Sequence, residues 1–328
     1  MGAADELIYA VWLFTVSSVG MMLGNKLAVT ALPLSSTLVC LQSVGTLVLL
    51  GCFCRKEIKG VNMRVIKSWV PIAAIFTFML YTSLKSFSYV NVSTVIILRN
   101  VGSIVTSVVE YFVLGERVNL EIILSEFVIL FGAFLYGYKN ANFNLIGGLW
   151  VFLNLVGQVA YGITLKHYMT RTVEFSAMSK YTMSLLNNAL AIPFLTVLIL
   201  ANEISQVGTA ISKVTFSGWF WIAFTCFLGF LISTSGFGLQ KLVSATTFIV
   251  VNNLVKFFNI ILGVIFLKDK MAYVDGAGCV IALAGGAWYS FALYNFKKKN
   301  EERDKDKDKQ VDEHSEIIKI EEEQEGKV

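Results

Sequence analysis

The chain has 328 residues, of which 55% are hydrophobic and only 15% charged, against roughly 45–50% and about 25% in soluble domains. Its 27 Lys/Arg and 23 Asp/Glu are unevenly placed: residues 297–328 hold 9 and 12 of them, and the rest of the chain carries about one charge in ten. This excludes an ordinary soluble globular protein. It also removes the net charge of +4 as a sign of nucleic-acid binding, because a body of +7 and a tail of −3 make it up.

A helix needs about 20 mostly apolar residues to cross a bilayer. In chain order the segments that qualify are 7–29, 36–54, 68–86, 92–114, 119–138, 145–166, 178–201, 216–238, 244–267 and 273–295. The first has no basic residues ahead of it and leads into further spans, so it reads as a retained helix. Short loops, three prolines in all, and Gly or Ser inside spans (Ser17, Ser18 and Gly20 in the first; Gly276, Gly278, Gly285 and Gly286 in the last) suit close helix packing in lipid. The five cysteines, Cys40, Cys52, Cys54, Cys226 and Cys279, sit in or beside apolar runs and give neither a disulfide framework nor a metal set.

Loop charges set the orientation. With the N-terminus cytoplasmic, the cytoplasmic loops hold Arg55, Lys56, Lys59, Arg64, Lys67, Arg117, Arg171 and Lys241. The opposite side holds Lys139, Lys213, Lys268 and Lys270, with Lys85 near a helix end. Lys297–Lys299 follow the last span and strengthen this bias, which places both termini in the cytoplasm. From Glu301 the tail is charge-rich and almost without aromatics, the composition of a disordered segment.

The fourth and ninth spans resemble each other at a constant offset of 153: Thr94 meets Thr247, Asn100 meets Asn253, Leu114 meets Leu267, and Glu116-Arg117 meets Asp269-Lys270. Trp12 and Phe14 in span one echo Trp150 and Phe152 in span six. An odd number of spans per half inverts the second half, and inverted repeats mark transporters with a midplane site. The expected fold is therefore an all-α integral membrane protein with ten transmembrane helices in two inverted five-helix repeats, 7–138 and 145–295. They form one domain, 1–296, followed by the tail 297–328.

Ionisable groups inside spans are expensive and face cavities. Four stand out: Lys85, Arg99, Glu110 and Lys256. Arg99 and Lys256 occupy corresponding helices of the two halves, with Asn100, Asn252 and Asn253 beside them, and Asn187-Asn188 form a second amide pair ahead of Pro193. Glu126 and Glu203 have weaker claims. Lys256 lies mid-span, too deep to reach an interface. Cations with amides suit an anionic substrate carrying a polar ring, the cations taking phosphates and the amides a base or sugar.

At these residues the sequence resembles the nucleotide-sugar transporters of the drug/metabolite transporter superfamily, and most closely the branch that includes the Golgi GDP-mannose transporters. The resemblance covers about residues 8–295. It rests on Asn25-Lys26, on Tyr81-Thr82-Ser83-Leu84-Lys85, on Leu98-Arg99-Asn100 with Glu110, on Leu185-Leu186-Asn187-Asn188 followed by Ile192-Pro193, and on Ala245-Thr246-Thr247 leading to Asn252-Asn253-Leu254-Val255-Lys256. The resemblance implies that Asn187 and Asn188 read the base with Ser233 beside them, that Lys256 approaches the phosphates or sugar, and that Arg99 lines the sugar end; Tyr81, Lys85, Asn100, Asn252 and Asn253 complete the implied set. Where that family has Gly-Ala-Leu-Asn-Lys this chain has Asn-Asn-Leu-Val-Lys, and Phe14 and Phe248 stand where the GDP-mannose carriers have tyrosines. These departures leave the sugar open.

The implied activity is alternating-access antiport in the Golgi membrane, with the endoplasmic reticulum left open: a nucleotide sugar enters and a nucleoside monophosphate returns. GDP-mannose or another GDP-sugar comes first, a UDP-sugar second. A phosphorylated-metabolite/phosphate exchanger and a non-transporting membrane scaffold are the competing readings. The expected partners are the nucleotide sugar, the nucleoside monophosphate and the lipid bilayer, with a homodimer left open and no nucleic acid. No paired carboxylates, nucleophile–base set or metal cluster supports an enzyme, and no cofactor is expected.

Overall fold

The computed structural model describes residues 3–109, 112, 119–138, 144–171, 175, 178–243, 245–267, 273–296 and 298–299, and among them every regular element is helical. Glu110, Glu116, Arg117, Lys139, Lys268, Asp269, Lys270, Lys297 and the tail from Glu301 lie outside the described residues, as do the side chains of Lys241 and Ala245–Thr247.

The helices are α1 Ala3–Ala31, α2 Ser35–Phe53, α3 Met63–Phe87, α4 Val92–Asn100, α5 Gly102–Val109, α6 Leu120–Tyr138, α7 Leu145–Arg171, α8 Lys180–Asn202, α9 Ile204–Ser212, α10 Phe216–Leu242, α11 Ala245–Leu267 and α12 Tyr273–Phe296. Among the described residues, α1, α2, α3, α7, α8, α10 and α12 hold stretches long and apolar enough to cross a membrane, and α11 holds a shorter apolar stretch, Val251–Gly263. The segment expected as one fourth span is divided at Val101 into α4 and α5.

Short polar residues start the helices, because their side-chain oxygens accept from backbone N–H groups that have no partner within the helix. Asn62 accepts from Val65 at the start of α3, Ser179 from Thr182 at α8, and Thr215 from Gly218 at α10. Leu34, ahead of α2, has no such oxygen. The carboxylate of Glu203, at the α8–α9 junction, does the work instead: it accepts from the Ser36 and Thr37 backbone N–H groups at 2.9 Å each and from the Thr37 hydroxyl at 2.8 Å.

The main packing pairs are α1 with α10 and α3 with α7, then α2 with α8 and α10, α3 with α8, α1 with α11, and α4 with α11 and α7. Glycines set the closest approach. A Cβ on Gly132 in α6 would stand 2.3 Å from the Ala282 nitrogen of α12, and one on Gly278 of α12 would stand 2.5 Å from the Tyr136 nitrogen of α6. Only a bare backbone lets these two helices meet.

The buried apolar residues are distributed unequally between the two ends. At the end away from the termini one continuous cluster joins α1 (Ala28, Val29), α2 (Leu38), α3 (Leu84, Phe87), α4 (Val92 to Ile97), α6 (Tyr136), α7 (Val151), α8 (Leu195), α10 (Ile222), α11 (Ile260) and α12 (Ala282). At the end holding the termini the described residues form separate clusters. One joins α3, α7, α8 and α10 around Trp69, one joins α1, α10 and α11 around Phe14 and Val255, and one joins α6 and α12 around Ile129 and Tyr289. Polar ties reinforce the first end. Lys26 Nζ donates to the carbonyls of Phe87 at 2.7 Å and Val90 at 3.0 Å, and the Thr94 and Tyr136 hydroxyls meet at 2.8 Å.

Candidate functional site

Between the clusters at the termini end lies a cavity of about 600 Å³, walled by α1, α3, α4, α6, α7, α10, α11 and α12. A second cavity of about 260 Å³ adjoins it among α1, α2, α3, α7, α8, α10 and α11. They share Phe14, Met79, Tyr161, Ile232, Gln240 and Phe248 among their walls. The larger one stops at the continuous cluster, at Phe87 and Ile96, and extends toward the termini as far as Gln240 and Phe248, near the end of α10 and the start of α11.

The larger cavity collects Arg99, Asn100, Asn252, Asn253 and Lys256; the smaller collects Asn187, Asn188 and Ser233. Tyr81 and Lys85 line neither. Tyr81 packs edge-on against Trp150 of α7, centroids 5.8 Å apart, and Lys85 lies in the last turn of α3.

Arg99 stands in the last turn of α4, which ends at Asn100. One Arg99 nitrogen donates to the Ser83 hydroxyl at 2.8 Å, the guanidinium lies over the Phe87 ring at 5.9 Å, and its Nε is buried without a partner among the described residues. Lys256 projects from α11 into the same cavity, and no hydrogen bond or ion pair of its ammonium is found among the described residues. No Asp or Glu stands among the described residues that line either cavity. Arg99 and Lys256 are half-buried, and with no carboxylate among those walls the arrangement suits an anion, because a charge that lost its remaining water without a partner would be destabilising by several kcal/mol.

The amides divide into two roles. Asn253 donates to the Gly286 carbonyl at 2.8 Å and to the Ser290 hydroxyl, and so ties α11 to α12. Asn187 is fully buried: its oxygen accepts from the Trp69 indole N–H and its nitrogen donates to the Tyr161 hydroxyl, both at 2.7 Å. Asn252 and Asn188 each donate to a carbonyl one turn back, Phe248 at 2.9 Å and Ser184 at 2.8 Å. Their side-chain oxygens accept no hydrogen bond among the described residues. Ser233 shares a 2.7 Å hydrogen bond with Ser184 and so stands beside Asn188.

Further residues complete the walls, and of them the sequence had singled out Asn25 alone, as part of the resemblance. From α7 come Asn154, Gln158 and Tyr161, at helical spacing on one face. Asn154 donates to the Met79 carbonyl at 2.7 Å and accepts from Gln158 at 2.7 Å. From α1 comes Asn25, which accepts from Gln42 of α2 at 2.8 Å, and α10 adds Gln240. Apart from Asn25, their only signal in the sequence was an amide or hydroxyl inside an apolar run. Phe14 and Phe248 face each other with centroids 5.4 Å apart where the two cavities join.

Comparison with known proteins bears on the fold and the family. A solved crystal structure of a protein 14% identical in sequence superposes with a TM-score of 0.55 over 89% of this chain and 98% of that one, so the fold is shared. The GDP-mannose transporter GONST2 of Arabidopsis thaliana is 28% identical over 257 residues, covering 74% of this chain and 67% of the relative. The GDP-mannose transporter GONST1 of the same plant is 26% identical over 292 residues, covering 85% and 86%. The Triose-phosphate Transporter family matches residues 5–290, nearly the whole helical body, and the chain belongs to that family.

Proposed function

We propose that the chain is a nucleotide-sugar antiporter working by alternating access: it carries a nucleotide sugar across the membrane in exchange for a nucleoside monophosphate, with a GDP-sugar such as GDP-mannose favoured and a UDP-sugar second. The observation that carries this reading is the charge pattern of the cavity. Arg99 and Lys256 face it with no carboxylate among its described walls, and amides and hydroxyls of α1, α7, α10 and α11 surround them. Cations recognise phosphates and amides recognise a base or sugar. Relatives named as GDP-mannose transporters support the class.

The same reading takes the body 1–296 as ten spans in two inverted halves, with both termini cytoplasmic in the Golgi membrane. The packing supports the halves. Exchanging α1 with α7, α2 with α8, α3 with α10 and α4 with α11 turns the pair α1–α10 into α7–α3, and α2–α10 into α8–α3; both members of each set are in contact.

A phosphorylated-metabolite exchanger is the second reading, favoured by the cation pair taken alone. The cavity volume disfavours it. About 600 Å³ lies in the range of about 300–1,000 Å³ that holds a ligand of many atoms, and a three-carbon phosphate would leave most of it empty. Proteoliposomes preloaded with GMP, UMP, CMP or inorganic phosphate and offered labelled nucleotide sugars or triose phosphate decide the matter. Exchange of a nucleotide sugar for its monophosphate is expected. Exchange of triose phosphate for phosphate, with no nucleotide-sugar uptake, would replace this reading with the second.

A further inference from the structure

Resting on the nucleotide-sugar reading, we infer that Tyr161 is a specificity-determining residue: its hydroxyl donates a hydrogen bond to an acceptor on the nucleotide base, and Trp69 and Asn187 position it to do so.

The argument follows the direction of three hydrogen-bonding groups. An indole N–H only donates, so the 2.7 Å contact from Trp69 fixes the Asn187 side-chain oxygen as the acceptor and turns the Asn187 amide nitrogen the other way. An amide N–H also only donates, so at the 2.7 Å contact with Tyr161 the phenol oxygen accepts. The Tyr161 proton must then be given elsewhere, and no acceptor for it stands among the described residues. Tyr161 lines both cavities at their junction, so the proton is available to a bound ligand. A hydroxyl that is itself accepting a hydrogen bond is also the better donor. The chain Trp69 to Asn187 to Tyr161 thus delivers one oriented donor to the cavity from two residues that do not touch the ligand through that chain.

The base, rather than the phosphates, is the group this donor meets. The two half-buried cations line the larger cavity and are absent from the lining of the smaller one. Around the junction stand flat or apolar side chains, Phe14, Phe248, Phe76 and Phe237, and Phe76 holds the Tyr161 ring at a centroid distance of 5.6 Å. Such a slot takes a heteroaromatic ring whose edge carries acceptors. Asn187 therefore acts as a positioning residue, through Tyr161.

The test is competition in the exchange assay. Wild-type protein in proteoliposomes exchanges its preferred nucleotide sugar against increasing nucleoside monophosphate, or against ribose 5-phosphate, which has the sugar and phosphate without the base. Tyr161→Phe keeps the ring and its contact with Phe76. It should weaken the nucleotide, as KM and as Ki, by about tenfold, the size of one hydrogen bond, and leave the maximal rate and any inhibition by ribose 5-phosphate unchanged, while the unfolding temperature falls because the buried Asn187 amide loses its acceptor. Trp69→Phe, which frees the Asn187 amide to turn, should move the nucleotide constants in the same direction by less. An unchanged nucleotide constant in Tyr161→Phe overturns the inference, and so does an equal loss for nucleotide and ribose 5-phosphate. If Tyr161→Phe fails to fold, the Trp69→Phe constants decide by the same criteria. Absence of any nucleotide exchange by the wild type is a failure of the functional reading instead, and is seen before a variant is made.

Discussion

Glu203 offers the most direct test of how this bundle is held together. Its carboxylate is 6% exposed and takes all three of its hydrogen bonds from the first turn of α2, whose preceding residue provides no cap of its own. Ser36 and Thr37 lie more than 160 positions away in sequence, so the side chain is both a helix cap and a clamp between α2 and the α8–α9 junction. Glu203→Gln keeps the shape, removes the charge and turns one acceptor oxygen into an NH₂ group that faces N–H donors. A hydrogen bond to a charged group contributes about 1.5–3 kcal/mol, and a buried donor left unsatisfied costs about 1–3 kcal/mol. Loss of one such bond together with the favourable charge at a helix N-terminus destabilises by about 2–4 kcal/mol. At roughly 2–4 °C per kcal/mol for a chain of this order of size, the unfolding temperature should fall by roughly 4–16 °C. Glu203→Ala, which removes every acceptor, should fall further. The assay is thermal unfolding in detergent followed with a thiol-reactive dye, since Cys54 and Cys279 are buried in the folded protein and become reactive on unfolding. A Glu203→Gln protein that melts within about 1 °C of wild type would mean that water, and not α2, satisfies this carboxylate.

Four further substitutions separate site from scaffold. Lys256→Met keeps the length of the side chain and removes its charge; exchange should fall at least about thirtyfold, as for truncating one side of a buried charge pair, while the melting temperature holds or rises because an unpaired half-buried cation is gone. Normal exchange would refute the phosphate role of Lys256. Lys26→Met removes the charge-assisted bonds to the Phe87 and Val90 carbonyls. It should speed labelling of a cysteine placed at the fully buried Leu32 at least about tenfold, in a background without native cysteines; unchanged labelling would show that the apolar cluster alone keeps that end shut. Gly132→Ala puts a methyl against the backbone of Ala282 and should destabilise by about 1–3 kcal/mol, whereas Gly51→Ala, with open space around it, should be neutral or stabilise by up to about 1 kcal/mol. Equal effects at the two glycines would contradict the close approach of α6 and α12.

What could be read from the sequence, and what could not, follows from how each signal is encoded. Spans are legible because lipid demands long apolar runs: the expected 7–29, 36–54 and 68–86 fall on α1, α2 and α3. The nine-residue helix α9 is too short for that signal, and the break at Val101 has no proline or glycine at the residue itself to announce it. Arg99 and Lys256 were legible because a charge in an apolar run is costly enough to need a reason. Asn154, Gln158 and Tyr161 were not, because one amide or hydroxyl in a membrane helix is common, and only tertiary packing shows which face meets the cavity. Asn187 was legible as a polar residue out of place, but its part depends on Trp69 and Tyr161, distant in sequence and joined to it only by folding. Tyr81 entered through a resemblance and Lys85 as a charge within a span as well, and geometry sets both apart from the two cavities.

The two ends of the bundle and the two half-buried cations bear on one another. One end is sealed by a continuous apolar cluster with Lys26 and Glu203 clamping its helices, and the other is divided among three separate clusters around the cavity mouth. In the proposed cycle the transporter must close that second end before it opens the first. Bringing the clusters around Trp69, Phe14 and Ile129 together removes the water that Arg99 and Lys256 reach through the mouth. Each cation taken out of water without a partner costs several kcal/mol, and every 1.4 kcal/mol is tenfold in population. An empty carrier therefore closes rarely. A bound phosphate group supplies the missing anion and the barrier falls, whichever side the ligand came from. Nucleotide sugar and nucleoside monophosphate both carry that group, so either licenses closure while the empty cavity does not. In that proposed cycle the electrostatics of two side chains would be enough to make exchange obligatory, without a separate coupling ion.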